Sequence, residues 1–290
     1  MNIILGVSAS KPIGIDEVLE LVLPLRGNAL TSSATWGLVA HEGRAARVFK
    51  DGVSTGKPTF FTVAMDRELR SHSYVVQRSF RGHQSTPSHG DITPFERELR
   101  GRSWVFANDG DLQKVPQLEL CGFYPLGDSK AERAFCLLLN AIREYVSEDG
   151  EVRYPDQMID RIARITTSIN AYGGFNYILS NGSYVVAHSH TQLHLLSLRD
   201  ASDAKLRNAC LVASQELTDD DHWSCLPPNS LTLIRDGSII DQKRTGNPAS
   251  PAAWQEHERG AQHVAENRRA FATERARFQA QTRGVEFESG

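Results

Sequence analysis

The sequence lacks the features that mark a membrane-inserted or secreted protein. No apolar run comes near the ~20 residues that span a bilayer, and the first eight residues carry no basic segment typical of a secretory signal. Only four cysteines occur among the 290 residues, and they form no CxxC pair. Widely spaced thiols of this kind are typical of a reducing compartment. We therefore expect a cytoplasmic protein without a membrane anchor.

The sequence also lacks an excess of either charge. Its 32 Lys and Arg residues nearly balance 35 Asp and Glu residues, which leaves a formal net charge of −3. Such a balance provides no basic surface for nucleic acid or for an anionic membrane. No glycine-rich Gly-x-Gly-x-x-Gly phosphate fingerprint is present. The 40% of hydrophobic residues suffices for a buried core, so we expect a globular protein.

What the sequence does contain is a series of short runs rich in β-branched and aromatic residues, which predict strands. These runs cover residues 3–8, 36–41, 73–77, 104–107, 175–180, 184–188, 193–198 and 231–235. Asn181-Gly182 lies between two such runs, and Asp236-Gly237 lies between the last run and Ile239-Ile240. Both dipeptides tolerate positive φ and therefore predict hairpins.

Helical periodicity occupies residues 16–22, 131–146 and 156–171. In the second segment, Ala134, Leu137, Leu138 and Ala141 recur at the spacing of one helix face. Early strands, two central helices and late strands predict a layered α/β fold in which helices cover a sheet, and they disfavour a parallel βαβ fold.

The chain changes character near residue 246, so we predict one domain over residues 1–245 and a linker with a helix over 246–290. Pro248 and Pro251 isolate this tail, in which Val264, Phe271 and Phe278 recur every seven residues. This apolar stripe predicts an amphipathic helix that is covered by the parent domain, by a second copy or by a partner.

Two clusters could hold a metal. His188 and His190 point to one face of a predicted strand, and His194 follows four residues later, which would suit zinc. The acidic run 219–221 could hold a hard cation, but the spacing of a calcium loop is missing and a solvated turn is the alternative. We predict no metal and no cofactor, and a metal-dependent hydrolase is the weakest functional hypothesis.

Taken in chain order, several segments resemble the class II glutamine amidotransferase domain, closest to the stand-alone branch that includes glutathione-degradation and ergothioneine-pathway amidohydrolases. The segments are Ile4-Leu5-Gly6-Val7-Ser8-Ala9, Trp36-Gly37-Leu38, Phe49-Lys50-Asp51, Arg78, Thr93-Pro94-Phe95 with Glu98-Leu99, the run 101–110 that ends in Asn108-Asp109-Gly110, Glu132-Arg133-Ala134-Phe135-Cys136, Phe175-Asn176-Tyr177-Ile178-Leu179-Ser180 with Gly182, and the closing strands up to Asp236-Gly237. The resemblance implies an Ntn-hydrolase αββα sandwich, here with a C-terminal helical extension.

The resemblance also implies a reaction whose nucleophile is an N-terminal cysteine that uses its own α-amine as base. Asn2 stands at that position. A carboxamide cannot replace a thiolate, and we expect Met1 to be retained because initiator removal normally requires a small second residue. Both requirements of the reaction fail at this position.

The positions that the resemblance assigns to glutamine binding are altered as well. Asp109 replaces the asparagine that, with the Gly110 amide, would form the oxyanion hole, and a carboxylate only accepts hydrogen bonds. Lys130 replaces the aspartate for the substrate α-amine, and Thr93 replaces a histidine. Arg78, which would bind the α-carboxylate, is retained.

These substitutions predict a protein of this family without glutaminase activity, with Arg78, Thr93, Asn108, Asp109, Gly110 and Lys130 in its cleft. It would act as a ligand-binding protein or as the partner of an amidotransferase-type protein. The alternative is an amidase or transferase on a glutamyl or amino-acid-derived substrate. If Arg78 and Lys130 faced one pocket, two cations would favour a small anionic ligand.

Overall fold

The computed structural model describes residues 2–22, 34–54, 60, 64, 69–80, 88–115, 120, 122–198 and 208–246. The helices are α1 (Ile15–Val22), α2 (Lys130–Ile142) and α3 (Pro155–Asn170). The strands are β1 (Ile3–Gly14), β2 (Ala34–Glu42), β3 (Ala45–Ser54), β4 (Arg70–Phe80), β5 (Phe95–Leu99), β6 (Arg102–Asp109), β7 (Asn176–Ser180), β8 (Val185–Ser189), β9 (His194–Ser197), β10 (Ala209–Ala213), β11 (Ser224–Cys225), β12 (Ser230–Arg235) and β13 (Ser238–Arg244). Single 3-10 turns cover His89–Asp91 and Arg143–Tyr145.

The strands form two antiparallel sheets. A seven-stranded sheet has the order β11-β9-β10-β1-β4-β2-β3, and a six-stranded sheet has the order β13-β12-β8-β7-β6-β5. Side chains alternate across each strand, so β1 presents Ile4 to the six-stranded sheet and Ile3 and Leu5 to the opposite face. The sheets therefore pack face to face, which is the geometry of a sandwich.

Helices cover the outer faces of both sheets. Ile15 and Val18 of α1 pack in a cluster with the outer face of the seven-stranded sheet, whereas the apolar faces of α2 and α3 pack on the six-stranded sheet. The buried stripe of α2 includes Ala134, Leu138 and Ala141. The layered α/β architecture predicted from the sequence is confirmed, with helix, sheet, sheet and helices in succession.

The structure also corrects several predicted boundaries. The second predicted helix ends as an α-helix at Ile142, after which the 3-10 turn Arg143–Tyr145 follows. The strand signals missed β3, β5, β10 and the two-residue strand β11. Strands β3 and β5 lie at sheet edges, where charged residues such as those of Phe-Glu-Arg-Glu-Leu interrupt the apolar pattern. The predicted tail helix, with Val264, Phe271 and Phe278, lies outside the described residues, as does Cys121.

The hairpin predicted at Asp236-Gly237 joins β12 to β13, and both residues have positive φ, 49° and 73°. At the other predicted hairpin, the Asn181 side chain accepts hydrogen bonds from the backbone of Ser183 and Tyr184.

Among the described helices, none is long and apolar enough to cross a membrane.

Candidate functional site

A cavity of about 580 Å³ lies where β1 begins and where β4 and β6 end. Its lining consists of Asn2, Gln77, Ser79, Asp91, Thr93, Asn108, Gly110, Asp111, Leu112, Asp128, Ser129, Lys130 and Ala131. Both sheets and the start of α2 contribute to it. The volume falls within the range of roughly 300–1,000 Å³ typical of small-molecule sites.

Gln77 joins the two sheets at the floor of this cavity. Its side-chain amide donates to the Asn108 carbonyl oxygen at 2.8 Å and accepts from the Asn108 backbone N–H at 3.1 Å. The same amide donates to the Ser79 hydroxyl at 3.1 Å. Because one side chain satisfies both backbone groups of Asn108, the ends of β4 and β6 are held in register across the sandwich.

Two glycines are required for the cavity walls. A Cβ added at Gly37 would lie 2.1 Å from the Thr93 carbonyl oxygen, so the absence of a side chain allows the Thr93-Pro94 segment to pack on β2. Gly110 has a φ of 131°, and a Cβ there would lie 2.4 Å from the Gly174 carbonyl oxygen. These contacts explain in physical terms why the sequence has glycine at both positions.

Asn2 and Asp109 meet beside the cavity. The backbone N–H of Asn2 donates to the Asp109 carboxylate at 3.1 Å. Burial raises the pKa of Asp109, whereas the hydrogen bond from Asn2 acts in the opposite direction. Asp109 therefore accepts a hydrogen bond from the backbone at the start of β1, and it is not among the residues that line the cavity.

A buried carboxylate shapes the entrance to α2. Glu132 is fully buried, forms an ion pair with Arg97, and accepts the backbone N–H groups of Leu126 at 3.0 Å and Gly127 at 2.9 Å. These bonds hold the loop that precedes α2 against β5. Lys130, the first residue of α2, is exposed and lies at the rim of the cavity.

Arg78 is directed away from the cavity, contrary to the expectation that it faces Lys130. Its neighbours Gln77 and Ser79 line the cavity, so alternation along β4 turns Arg78 to the other face of the sheet. There its guanidinium lies 4.8 Å from the centre of the Trp36 ring, and the residue is 1% exposed. Burial lowers the pKa of this guanidinium. The structure therefore does not bring Arg78 and Lys130 to one cavity.

Four of the six predicted cleft residues come together, whereas Arg78 and Asp109 do not line the cavity. Thr93, Asn108, Gly110 and Lys130 line the cavity with Asn2. Sequence reasoning missed Gln77 and the carboxylates Asp91, Asp111 and Asp128. Alternation along β4 could have indicated Gln77, because a strand cannot direct two consecutive side chains into one cavity. The carboxylates lie in connecting segments whose path the sequence pattern does not predict.

Of the three histidines in the predicted metal cluster, only His188 and His190 are neighbours, with ring centroids 6.2 Å apart. His188 is buried on β8 of the six-stranded sheet, with Nδ1 2.6 Å from the Phe175 carbonyl oxygen and Nε2 2.9 Å from the Thr245 hydroxyl. His190 accepts the Phe175 backbone N–H at Nδ1. His194 lies on β9 of the other sheet, where its Nε2 is 2.9 Å from the Gln192 amide nitrogen.

Both ring nitrogens of His188 are hydrogen-bonded within the protein, so this residue has no free nitrogen to bind zinc together with His190 and His194. Burial lowers the pKa of His188 to about 3, so its ring is neutral. In the acidic run, Asp220 accepts the backbone N–H of the exposed His222 at 2.8 Å, as in a solvated turn. Within the described ranges, no three His, Cys, Asp or Glu side chains form a group that could hold a metal ion.

Known proteins share this sequence pattern and this fold. The family model of the class II glutamine amidotransferases matches residues 1–259. The chain is 28% identical over 251 residues to YafJ of Escherichia coli K12, described as a candidate glutamine amidotransferase, which covers 80% of this chain and 96% of YafJ. It is also 28% identical to a similarly described Haemophilus influenzae protein, over 66% of this chain and 64% of that one.

Solved structures agree with the match. A predicted glutamine amidotransferase from Pseudomonas aeruginosa superposes with a TM-score of 0.58 at 21% identity, over 82% of this chain and 99% of that one. The glutamine phosphoribosylpyrophosphate amidotransferase of Bacillus subtilis gives 0.57 at 16% identity, over 83% of this chain and 49% of that one. The two-sheet sandwich is thus the Ntn-hydrolase fold of these proteins, and the chain belongs to the class II glutamine amidotransferase family.

Proposed function

We propose that this member of the family has no glutaminase activity and uses its cavity to bind a small ligand. The observation that supports this most directly is Asn2 at the cavity, where the family's reaction requires a cysteine thiol. The nitrogen lone pair of a carboxamide is delocalised, so Asn2 cannot attack a substrate amide as a thiolate does. This argument depends on the side chain alone and holds however the N-terminus is processed.

The neighbouring groups support the same proposal. Asp109, which stands in place of an oxyanion-hole donor, is an acceptor whose carboxylate already binds the Asn2 backbone. The loss of one such donor typically costs about 3–4 kcal/mol of barrier stabilisation. Lys130 would repel the ammonium group of a glutamine molecule that entered in the orientation implied by the family pattern.

The cavity itself is built to bind. Its floor is fixed by Gln77, its walls by the contacts of Gly37 and Gly110, and its entrance by the bonds of Glu132. None of these supports requires a nucleophile at residue 2. A formed cavity with altered reactive positions favours ligand binding over hydrolysis.

The test is ammonia release from glutamine by the purified full-length chain. We expect no ammonia above a protein-free blank and, by intact mass, no covalent adduct at residue 2 with the glutamine analogue diazo-oxo-norleucine. Asn2→Cys alone should not restore turnover, because Asp109 and Lys130 remain unsuited to oxyanion and ammonium binding. Asn2→Cys with Asp109→Asn and Lys130→Asp is the matched comparison.

One result would contradict the proposal, and another would contradict the supporting argument from Asp109 and Lys130. Ammonia release by the unchanged protein that disappears in Asn2→Ala would show that residue 2 supports glutaminase chemistry. Substantial turnover by Asn2→Cys alone would show that Asp109 and Lys130 do not have the inhibitory effects assigned to them. Asp221→Asn, an exposed change outside the cavity lining, controls for the effect of altering surface charge.

A further inference from the structure

The charged side chains that line the cavity are mainly acidic. Asp91, Asp111 and Asp128 contribute three carboxylates, whereas Lys130 is the one cation among the described lining residues. A roughly spherical cavity of this volume is about 10 Å across, close to the Debye length of about 8 Å at physiological salt. All four charges therefore act on whatever occupies the cavity, and the carboxylates outnumber the ammonium.

The carboxylates retain acceptor capacity. Asp91 accepts the Ser88 hydroxyl at 2.7 Å and the Asp128 backbone N–H at 3.1 Å, one bond at each oxygen. Asp111 accepts the Gln113 amide at 2.6 Å through one oxygen. An ionised carboxylate offers about four lone-pair positions, so each can accept more bonds. Lys130 makes no ion pair within 4.0 Å to any residue in the described ranges.

A second, independent observation points to a ligand. Asn108 and Thr93 line the cavity but are only 7% and 8% exposed, and in the described part of the chain neither side chain makes a hydrogen bond. Neither side chain has a polar atom among the fully buried, unpartnered ones, so the polar atoms of both can be reached from the cavity. An amide and a hydroxyl aimed into a cavity without protein partners are therefore suited to the polar groups of a bound molecule.

We propose that the cavity binds a small primary amine that also carries an amide or hydroxyl group. The ammonium would bind among Asp91, Asp111 and Asp128, and the neutral polar group would bind Asn108 and Thr93. This inference rests on the proposed function, since the ligand must be bound without being hydrolysed. It replaces the expectation of an anionic ligand, which required Arg78 to face the cavity.

Three related compounds test the charge preference by isothermal titration calorimetry. 4-Aminobutanamide is glutamine without its carboxylate, glutaramic acid is glutamine without its amine, and glutamine carries both groups. All three contain the amide. We expect the cationic compound to bind most tightly, the zwitterion less tightly and the anion least tightly, with the affinity of the cation decreasing as salt increases.

Variants assign the effect to the cavity. Asp111→Asn and Asp128→Asn change exposed residues and should each weaken 4-aminobutanamide about threefold to tenfold, whereas Lys130→Gln should strengthen it by a similar factor. Asn108→Leu should weaken all three compounds, because each presents an amide. Asp221→Asn should change none of the affinities.

Tightest binding of the anion, or equal effects of Asp128→Asn and Asp221→Asn, would overturn the inference. So would the absence of measurable binding by all three compounds to a protein that is folded by circular dichroism. None of these results bears on glutaminase activity. Ammonia release that requires Asn2 would instead contradict the proposed function, so the two failures are distinguishable.

Discussion

Two buried polar side chains of the six-stranded sheet, His188 on β8 and Asn108 on β6, differ in their hydrogen bonding, and strand β7 lies between them. His188 on β8 is buried with both ring nitrogens bonded, Nδ1 to the Phe175 carbonyl and Nε2 to the Thr245 hydroxyl. Asn108 on β6 is nearly as buried, but in the described residues its side chain has no bond. The hydrogen bonds of His188 are all made within the protein, whereas the Asn108 side chain can be hydrogen-bonded only by a molecule that enters the cavity.

This difference distinguishes polar side chains that stabilise the fold from polar side chains that can bind a ligand, and it does not depend on comparison with related sequences. A buried polar group that is fully bonded stabilises the fold, and a buried polar group without partners costs free energy unless a ligand satisfies it. His41 provides a third case. It is buried at the end of β2, neither ring nitrogen has a partner among the described residues, and it does not line the cavity. The same substitution at these positions should therefore have different effects.

The largest effect is expected for His188→Leu. The change removes the donor to the Phe175 carbonyl and the acceptor for the Thr245 hydroxyl, and it leaves both groups buried. We expect the free energy of unfolding to fall by about 3 kcal/mol. Urea denaturation followed by circular dichroism measures it. A loss below about 1 kcal/mol would contradict the view that these bonds are structural.

Acidification should give the next largest effect. Burial lowers the pKa of both His188 and His41 to about 3, below the ordinary value near 6.5. As the pH falls below 6.5, the unfolded chain takes up protons at these rings while the folded chain does not, so stability falls. The two rings together should remove about 2 kcal/mol between pH 6.5 and 5.5.

Urea titrations at the two pH values measure this loss. The free energy of unfolding should fall less between pH 6.5 and 5.5 in His41→Leu than in the unchanged protein. An equal fall in the two proteins would show that His41 is protonated in the folded state or that its ring reaches solvent.

His41→Leu at pH 7.5 should have the opposite sign to His188→Leu. It removes two buried ring nitrogens that have no partner in the described residues, so the free energy of unfolding should rise by about 1 kcal/mol. Urea denaturation at pH 7.5 measures the change. Destabilisation similar to that of His188→Leu would show that His41 has partners after all, and it would weaken the distinction drawn between the two sites.

The smallest effect on stability is expected at the cavity. Asn108→Leu and Thr93→Val break no side-chain hydrogen bond among the described residues, so each should change the free energy of unfolding by less than about 0.5 kcal/mol. The melting temperature of the ligand-free protein, measured by calorimetry, checks this expectation. A marked loss would place these two side chains in the structural group with His188.

The sequence predicted the layers well because burial imposes strict periodicities. The central strands β1, β2 and β6 are almost continuously buried, so their apolar runs are unambiguous. The buried stripe of α2 is equally clear. Strands β3 and β5 were not predicted because each lies at the edge of its sheet and pairs with only one neighbouring strand. Charged residues are tolerated at such an edge, and they interrupt the apolar pattern.

The candidate site was predictable in part. Motif order assigned Thr93, Asn108, Gly110 and Lys130 to one cleft, and the structure has these four residues in the lining of one cavity. It failed for Arg78 because a motif indicates a position along the chain, whereas the face of the strand depends on register. It also missed Asp91 and Asp128, which approach each other through a hydrogen bond between two connecting segments. Contacts of this kind depend on the path of the chain in three dimensions.

The amide of Gln77 has a consequence for how the family can diversify. It pairs with the backbone N–H and the backbone carbonyl of Asn108 much as a neighbouring strand would, and these two bonds do not involve residues 2, 109 or 130. Residues 2, 109 and 130 can therefore be substituted one at a time while the hydrogen bonds of Gln77 keep the floor of the cavity in place. In such an architecture the shape of the pocket does not depend on the groups that carry a reaction, so a change in those groups leaves a formed pocket that can bind another ligand.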